Sequence, residues 1–272
     1  MRWIRSKYLP SAYLAFAGFL LLAQPVQATE YGFGDYGLGY GIPMSGYTPP
    51  PGVYFSDTFY LYSASAATNG NFPFGNITAA GIKVNFITNI AASAWYTDVK
   101  ILGGTLGFAA AVPVGSDTNS AAVSFIGPLG FNRQLNQTDS AVSIGDSAYS
   151  ASLGWEEGEH HWNVALTGFA PTGHYAPNSL AIMSLNRPGF DIKGAYTFLS
   201  MQTGTEISGA VGVTFNLRNT ATDYQSGDEL HVEAALNQHF PFGLAVGVGG
   251  YFYQQITGDF GSGATLGPFR AG

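Results

Sequence analysis

The chain contains no cysteine and little charge, and both shortages narrow what it can be. Without Cys, its 272 residues have neither a disulfide framework nor a thiolate nucleophile. Charged residues make up 10% of the sequence, against about a quarter in ordinary soluble domains. Beyond the first 30 residues, no apolar run approaches the roughly 20 residues that a membrane-spanning helix needs. The abundant glycines and aromatic residues are therefore spread over short segments.

The amino-terminal 28 residues have the three-part pattern of a secretory signal peptide. Three basic residues among the first seven precede an apolar run, residues 12–23, and Val26-Gln27-Ala28 matches the small-x-small cleavage pattern. A membrane anchor helix is the alternative, but the apolar run is short and Pro25 interrupts its end. Without the signal, seven basic residues face 17 acidic ones, and this balance argues against a nucleic-acid partner.

Residues 206–257 contain three segments in which apolar and polar residues alternate. Successive side chains of a strand point to opposite faces, so each segment has one apolar and one polar side. The same pattern recurs upstream in segments that begin at Val53, Gly81, Thr105, Val142, His160 and Phe190. The sequence therefore predicts nine strands.

The connections between these strands alternate between long and short, with long ones after strands one, three, five and seven. Outer-membrane barrels have short periplasmic turns and long external loops, whereas a soluble sandwich has no reason to keep this rhythm. Because open edges cannot face lipid, the sheet has to close. We predict an all-β protein, a transmembrane antiparallel β-barrel over residues 53–272. Bacterial outer-membrane barrels have an even number of strands, whereas nine are predicted here and residues 259–272 carry no further alternating strand. The sequence therefore predicts a barrel truncated at its carboxyl end.

Residues 29–52 are rich in Gly, Tyr and Pro and have no regular period. Three successive prolines, Pro49 to Pro51, stiffen the end of this stretch. It is either an exposed amino-terminal arm, since termini are usually loosely ordered, or a plug in the mouth of the barrel. The sequence leaves both open.

Several blocks of the sequence resemble those of a known family. They are Val53–Ser65, Tyr96–Gly104, Gly168–Gly173, Thr222–His231 and Gly250–Asp259. Together they are similar to the outer-membrane transporter family named for the meta-pathway of phenol degradation, from about Tyr47 onward. The resemblance implies an outer-membrane barrel of about twelve strands, of which about nine are present here. It also implies passage of hydrophobic or aromatic compounds.

On the barrel interpretation the polar faces line the lumen, because a lipid-facing Lys or Arg costs about 2–4 kcal/mol at the bilayer midplane. The candidate lumen residues are Lys83, Asp191, Lys193, Glu206, Glu229, His231, Glu233, Tyr251 and Tyr253. They predict either an acidic constriction that selects solutes or paired charges that stiffen the wall, such as Lys193 with Glu206. Further inward tyrosines, Tyr54, Tyr60 and Tyr62, would offer aromatic solutes a ring face or simply fill the interior.

Other chemistries are less well supported. Glu229, His231 and Glu233 could recruit a metal, but alternate residues of a strand are about 6–7 Å apart, too wide for one tetrahedral site. Residues 222–228, here called the motif loop, lack the ligand spacing of a calcium loop and are predicted to form a surface turn. The motif loop contains Thr222, Asp223, Tyr224, Ser226, Gly227 and Asp228. No nucleophile motif frames the five histidines.

We therefore expect a channel in the outer membrane of a Gram-negative bacterium, through which small hydrophobic or aromatic molecules diffuse passively. Neither catalysis nor a cofactor or metal is expected, and the predicted partners are outer-membrane lipid and the solutes. Two alternatives remain open: a barrel enzyme that modifies lipids, and a structural or adhesive barrel that acts through its external loops.

Overall fold

The structure, a computed structural model, describes residues 30, 34–39, 41–74, 77–126, 132–176 and 179–265. The predicted signal peptide lies outside these residues. The strands are β1 (Gly52–Phe74), β2 (Ile77–Ile101), β3 (Gly104–Ile126), β4 (Asn132–Ile144), β5 (Ser147–Glu157), β6 (His160–Ala170), β7 (Gly189–Leu199), β8 (Thr205–Asn216), β9 (Glu229–His239) and β10 (Ala245–Gln255). A 3-10 turn, Gly263–Thr265, follows them. Over the described ranges, no helix is both long enough and apolar enough to cross a membrane.

The strands form one antiparallel sheet in which sequential strands are neighbours. β4 and β5 lie end to end along β3, separated by Gly145 and Asp146, so the sheet has nine strand positions, as predicted. Within the described residues, β1 pairs only with β2, and β10 pairs only with β9. The sheet is nevertheless curved. Leu38 and Gly39 are adjacent in the chain, yet Leu38 contacts β1 and Gly39 contacts β9, so these two distant strands must approach each other.

The first strands are longer than the sequence indicated. The sequence predicts a long connection after the first strand, residues 64–80, but β1 continues to Phe74 and β2 begins at Ile77. It predicts another after the third strand, residues 115–141, and this stretch is likewise mostly strand, in β3 and β4. Polar residues pair across these extensions: Thr118 and Ser140 share a hydrogen bond of 3.1 Å. Only about 9–11 residues of a strand cross a bilayer, so hydroxyl-rich strands can continue beyond it.

The outer face of the sheet is apolar and exposed. On β1, for example, Phe55 is 82% exposed while the neighbouring strands bury polar residues on their opposite face. The same face carries Val53, Phe59, Leu61, Trp95, Phe108, Val164, Leu166, Ile192, Ile207, Val211, Val246 and Val248. An exposed apolar exterior around a polar interior is the pattern of a transmembrane barrel.

Four short connections lie at one end of the sheet. They are residues 102–103, 158–159, 200–204 and 240–244. In the first, both central residues have positive φ, 51° at Leu102 and 80° at Gly103, as a tight hairpin turn of type I′ requires. This end is the periplasmic end, and the longer connections lie at the external end.

The described residues between 34 and 48, which are 34–39 and 41–48, run along the inside of the sheet. Residues 34–48 are here called the inner segment. Asp35 contacts Arg187 near the external end, whereas Tyr47 packs against His161 beside a periplasmic turn, with 4.9 Å between ring centroids. The chain then enters β1 at Gly52. The inner segment therefore crosses the interior from the external end to the periplasmic end.

A second piece of chain, residues 179–187, folds onto the inner face of β3 and β4. Three aspartates accept its backbone N–H groups: Asp139 from Leu180 at 2.8 Å, Asp117 from Ile182 at 2.9 Å and Asp146 from Leu185 at 2.8 Å. The side chains of the same three residues, Leu180, Ile182 and Leu185, are buried. Residues 179–187, part of the connection between β6 and β7, thus partly fill the external half of the interior and are here called the inner loop.

Candidate functional site: the inner wall

The strand register decides which predicted residues face inward, because directly paired residues share a face. Eight of the nine candidates lie on the inner face: Asp191, Lys193, Glu206, Glu229, His231, Glu233, Tyr251 and Tyr253. The carboxylates and His231 are at most 2% exposed, whereas Tyr251 is 55% exposed to the open interior. Their role in solute passage remains a prediction.

Lys83 was wrongly placed on the inner face. It pairs with Ser65 on β1 and Ser120 on β3, and this row of residues shares the exposed outer face with Leu61. The buried side of β2 carries Val84 and Thr88 instead. Because Ser65 lies 13 residues into β1, Lys83 is beyond the roughly 9–11 residues that cross a bilayer. A lysine on the outer face meets water there, so lipid does not force it inward.

A buried group of side chains lies in the external half of β7–β9. His231 contacts Asp191 through Nε2 at 2.7 Å, and Thr214 donates to the same Asp191 oxygen at 3.0 Å. Tyr36 of the inner segment stacks on the His231 ring, with 3.7 Å between centroids, and donates to Glu233 at 3.0 Å. The charges on this part of the wall are therefore engaged by partners and covered by the inner segment.

Nearer the periplasm, Glu206 is the centre of a second group. It accepts hydrogen bonds from Ser208 and from the backbone N–H of Met44, both at 2.6 Å, and contacts His239 Nε2 at 2.6 Å. The order is hydroxyl, carboxylate, imidazole, with the carboxylate in the middle. Nucleophilic catalysis needs the imidazole next to the hydroxyl, so this group cannot activate Ser208 in that way.

The expected pair of Lys193 with Glu206 is wrong in register. β7 and β8 pair so that Glu206 faces Leu199 while Lys193 faces Gly212, six positions further along the hairpin. At about 3.3 Å per residue, that separation far exceeds the reach of an ion pair. The Lys193 ammonium instead lies over the ring of Tyr36, 5.6 Å from its centroid.

Arg187 of the inner loop ties four pieces of chain together at the external end. It is fully buried and contacts Asp35 of the inner segment at 3.3 Å and Glu229 of β9 at 3.8 Å. It also donates to Ser226 in the connection between β8 and β9, whose hydroxyl accepts from the backbone N–H of Glu30. A buried cation among carboxylates both neutralises and positions them.

Sequence reasoning missed Arg187 because it precedes a proline in what reads as a loop. The one signal in the sequence was the small number of Lys and Arg residues. The chain after residue 28 has seven of them, so acidic residues that are buried on neighbouring strands, such as Asp191 and Glu229, have few cations to pair with. Nothing in the local pattern showed which one.

The motif loop binds the segment that follows β10. Asp259 accepts from the Tyr224 hydroxyl, the Gly227 N–H at 2.9 Å and Gln255 Nε2 at 2.7 Å. Asp223, at a positive φ of 51°, accepts from the backbone N–H of Ser262 at 3.0 Å. The two most distinctive sequence blocks therefore form one external structure.

The surroundings shift the pKa of two ionisable groups of this external structure, Asp223 and Tyr224. Hydrogen bonds from Ser262, and the nearby Arg218, lower the pKa of Asp223, so this carboxylate stays charged. Burial and the adjacent Asp259 carboxylate raise the pKa of Tyr224, so its hydroxyl stays a donor.

Asp259→Ala should loosen the external structure without unfolding the barrel. Three donors would lose their acceptor, and trypsin cleavage after Arg218 in the same loop should become about tenfold faster, which corresponds to about 1.4 kcal/mol of local stability. Glu157→Ala, which removes an exposed carboxylate from the last residue of β5, beside a periplasmic turn, serves as the control. Equal cleavage rates in the two variants would contradict the role given to Asp259.

Comparisons with known proteins agree with this architecture. The family model described as "Putative MetA-pathway of phenol degradation" matches residues 67–272. The structure is similar to the crystal structure of an outer membrane channel from Pseudomonas putida F1, with a TM-score of 0.59 and 14% sequence identity. The alignment covers 85% of this chain and 80% of that one. The comparison with curated proteins found no match.

The predicted fold class, the family resemblance and the localisation are thereby confirmed. The alternating strands, the exposed apolar exterior and the structural similarity all describe a transmembrane β-barrel fold. The chain belongs to the family described as "Putative MetA-pathway of phenol degradation".

Proposed function

We propose that this protein is an outer-membrane channel through which small hydrophobic and aromatic molecules diffuse passively. The observation that carries the proposal is the composition of the part of the inner wall that is still open. Where the inner segment covers β7–β9, the wall is acidic and its charges are engaged. Where it is open, the wall presents tyrosines, such as Tyr54, 39% exposed, and Tyr251, 55% exposed.

Tyrosine suits such a path because it offers a ring face and a hydroxyl at low conformational cost. Tyr60 and Tyr62 continue the row that begins at Tyr54, all on the inner face of β1. A solute with one aromatic ring can exchange contacts along this row without meeting a strong binding site at every step. Conduction requires such weak, repeated contacts.

The inner segment is the constriction of the proposed channel. Its backbone is held by side chains of the wall, with Gly46 N–H donating to Thr197 at 2.9 Å and Asn163 donating to the Ser45 carbonyl at 2.8 Å. It occupies space that would otherwise be open to water, and a narrow path favours small solutes over large polar ones.

The test is uptake of labelled phenol by cells that lack the gene, at low micromolar phenol, with and without the gene restored. We expect several-fold faster uptake when the gene is present, because the outer membrane limits the rate at low concentration. Cells whose outer membrane has been permeabilised should show no difference, since the barrier is then gone. An uptake rate that does not depend on the gene in intact cells would contradict the proposal.

A further inference from the structure

A cavity of about 560 Å³, wide open on one side, lies between the inner segment and the inner face of β9 and β10. Its walls include Ile42, Pro43, Ala235, Asn237, Gly249 and Tyr251. Ile42 and Ala235 are otherwise buried side chains, at 8% and 5% exposure. The cavity is distinct from the acidic groups around Arg187, His231 and Glu206.

The cavity exists because the inner segment is held at two points and bridges the space between them. Gly39 N–H donates to Glu233 at 2.5 Å, and Met44 N–H donates to Glu206 at 2.6 Å. Pro43, just before the second anchor, has no N–H to offer the wall.

The strand wall beneath the bridge carries little side-chain volume around Gly249, whereas the Asn237 side chain covers the neighbouring Gly247. On β10 the inward positions are Gly247 and Gly249, and on β9 the residue paired with Gly249 is Ala235. A Cβ built on Gly249 would lie 3.6 Å from both Ile42 Cδ1 and Ala235 Cβ. Glycine at this position therefore keeps a flat surface uncovered.

The chemistry of the walls fits a neutral aromatic ring. Ile42, Pro43 and the glycine backbone supply apolar surfaces, and Tyr251 supplies an exposed ring for an edge or stacking contact. Ligand cavities are typically about 300–1,000 Å³, and an apolar cavity of about 150 Å³ is enough for benzene. One single-ring molecule therefore fits with room to exchange.

The walls also select against anions. Among the described residues, no basic side chain lines this cavity, and the carboxylates that anchor the bridge at its two ends, Glu206 and Glu233, already accept hydrogen bonds from the inner segment. The Lys193 ammonium lies close to Gly41 of the bridge, but it is held over the ring of Tyr36 and is not part of the cavity wall. Acidic neighbours and the lack of a cation in the wall both disfavour the binding of an aromatic carboxylate.

We propose that this cavity is a binding site for one neutral, single-ring aromatic molecule of the phenol class, held between Ile42 and Tyr251 over the glycine floor at Gly249. The proposal rests on the proposed channel function and names a stopping point on the path.

The test uses two neighbouring glycines of β10 that point in opposite directions. Gly249→Val fills the cavity, whereas Gly250→Val places the same side chain on the outer face, where a Cβ meets nothing within 4 Å. Binding of 4-fluorophenol to the full chain in detergent micelles is measured by fluorine NMR, with micelles alone as the reference. We expect Gly249→Val to weaken binding at least about tenfold, or about 1.4 kcal/mol, and Gly250→Val to leave it unchanged.

A second variant and a second ligand complete the test. Tyr251→Leu should also weaken 4-fluorophenol binding, and it decides the result if Gly249→Val does not fold. The wild-type protein should bind 4-fluorobenzoate at least about tenfold more weakly than 4-fluorophenol. Equal affinity in wild type and both cavity variants, or equal affinity for the two ligands, would overturn the site. Gene-dependent phenol uptake with no effect of Gly249→Val on binding would reject the site and leave the channel standing, whereas uptake that does not depend on the gene rejects the channel itself.

Discussion

Arg187→Leu is expected to destabilise the barrel by about 3–5 kcal/mol, because it leaves buried carboxylates without their cation. Asp35 and Glu229, at 3% and 0% side-chain exposure, both contact the guanidinium. Ser226 would also lose its donor. The measurement is unfolding in urea in the presence of detergent, followed through the heat-dependent gel mobility typical of folded barrels. The variant should unfold at a clearly lower urea concentration.

The chain offers a matched control in Arg218. It also pairs with an aspartate, Asp223, at 2.9 Å, but the two side chains are 52% and 44% exposed. Exposed ion pairs contribute little, so Arg218→Leu should unfold close to the wild type. Adding Asp35→Asn and Glu229→Gln to Arg187→Leu should recover part of the lost stability, because it removes the unpaired charges. If Arg187→Leu and Arg218→Leu unfold at the same urea concentration, Arg187 does not hold these segments together.

The alternation of polar and apolar residues predicted the faces of some strands and failed for others, and the membrane explains the difference. β8 and β9 have 12 and 11 residues, close to the length that crosses a bilayer, so lipid fixes which face is apolar. There, Glu206, Glu229 and His231 point inward as predicted. β2 has 25 residues, and beyond the bilayer both faces meet water or other parts of the protein.

The contents of the interior could not be predicted in the same way. A strand pattern shows which face is covered and says nothing about which segment covers it. Gly- and Tyr-rich residues 34–39 have no period, yet Tyr36 both stacks on His231 and binds Glu233. The inner loop is held through its backbone N–H groups by Asp117, Asp139 and Asp146. Backbone contacts leave no trace in the identity of the bound residue.

Two of the sequence blocks form a structure together that the local pattern of neither one predicts. The motif loop and the segment after β10 were identified as distinctive separately, and the structure shows that Asp259 and Tyr224 join them. Their contact is non-local, between residues 35 positions apart, so neither turn chemistry nor strand period could predict it.

Replacing the inner segment should change the conductance of the channel more than any single substitution. If residues 34–48 are deleted, the interior beside β6–β9 fills with water, and Asp191, Glu206 and Glu233, now at most 2% exposed, line it. We expect single-channel conductance in planar bilayers to rise several-fold. The open channel should also prefer cations, because Glu206 and Glu233 lose the groups of the inner segment that now bind them.

The control keeps the length of the segment and its backbone N–H groups, and removes only the contacts made by its side chains. A Gly/Ser replacement of residues 34–48 retains the chain but loses Tyr36, whose ring covers His231 and whose hydroxyl binds Glu233. Its conductance should lie between wild type and deletion, with frequent opening and closing. Glu206→Gln together with Glu233→Gln in the deletion background should reduce the preference for cations. If the deletion leaves conductance and ion preference at wild-type values, the inner segment is not the constriction.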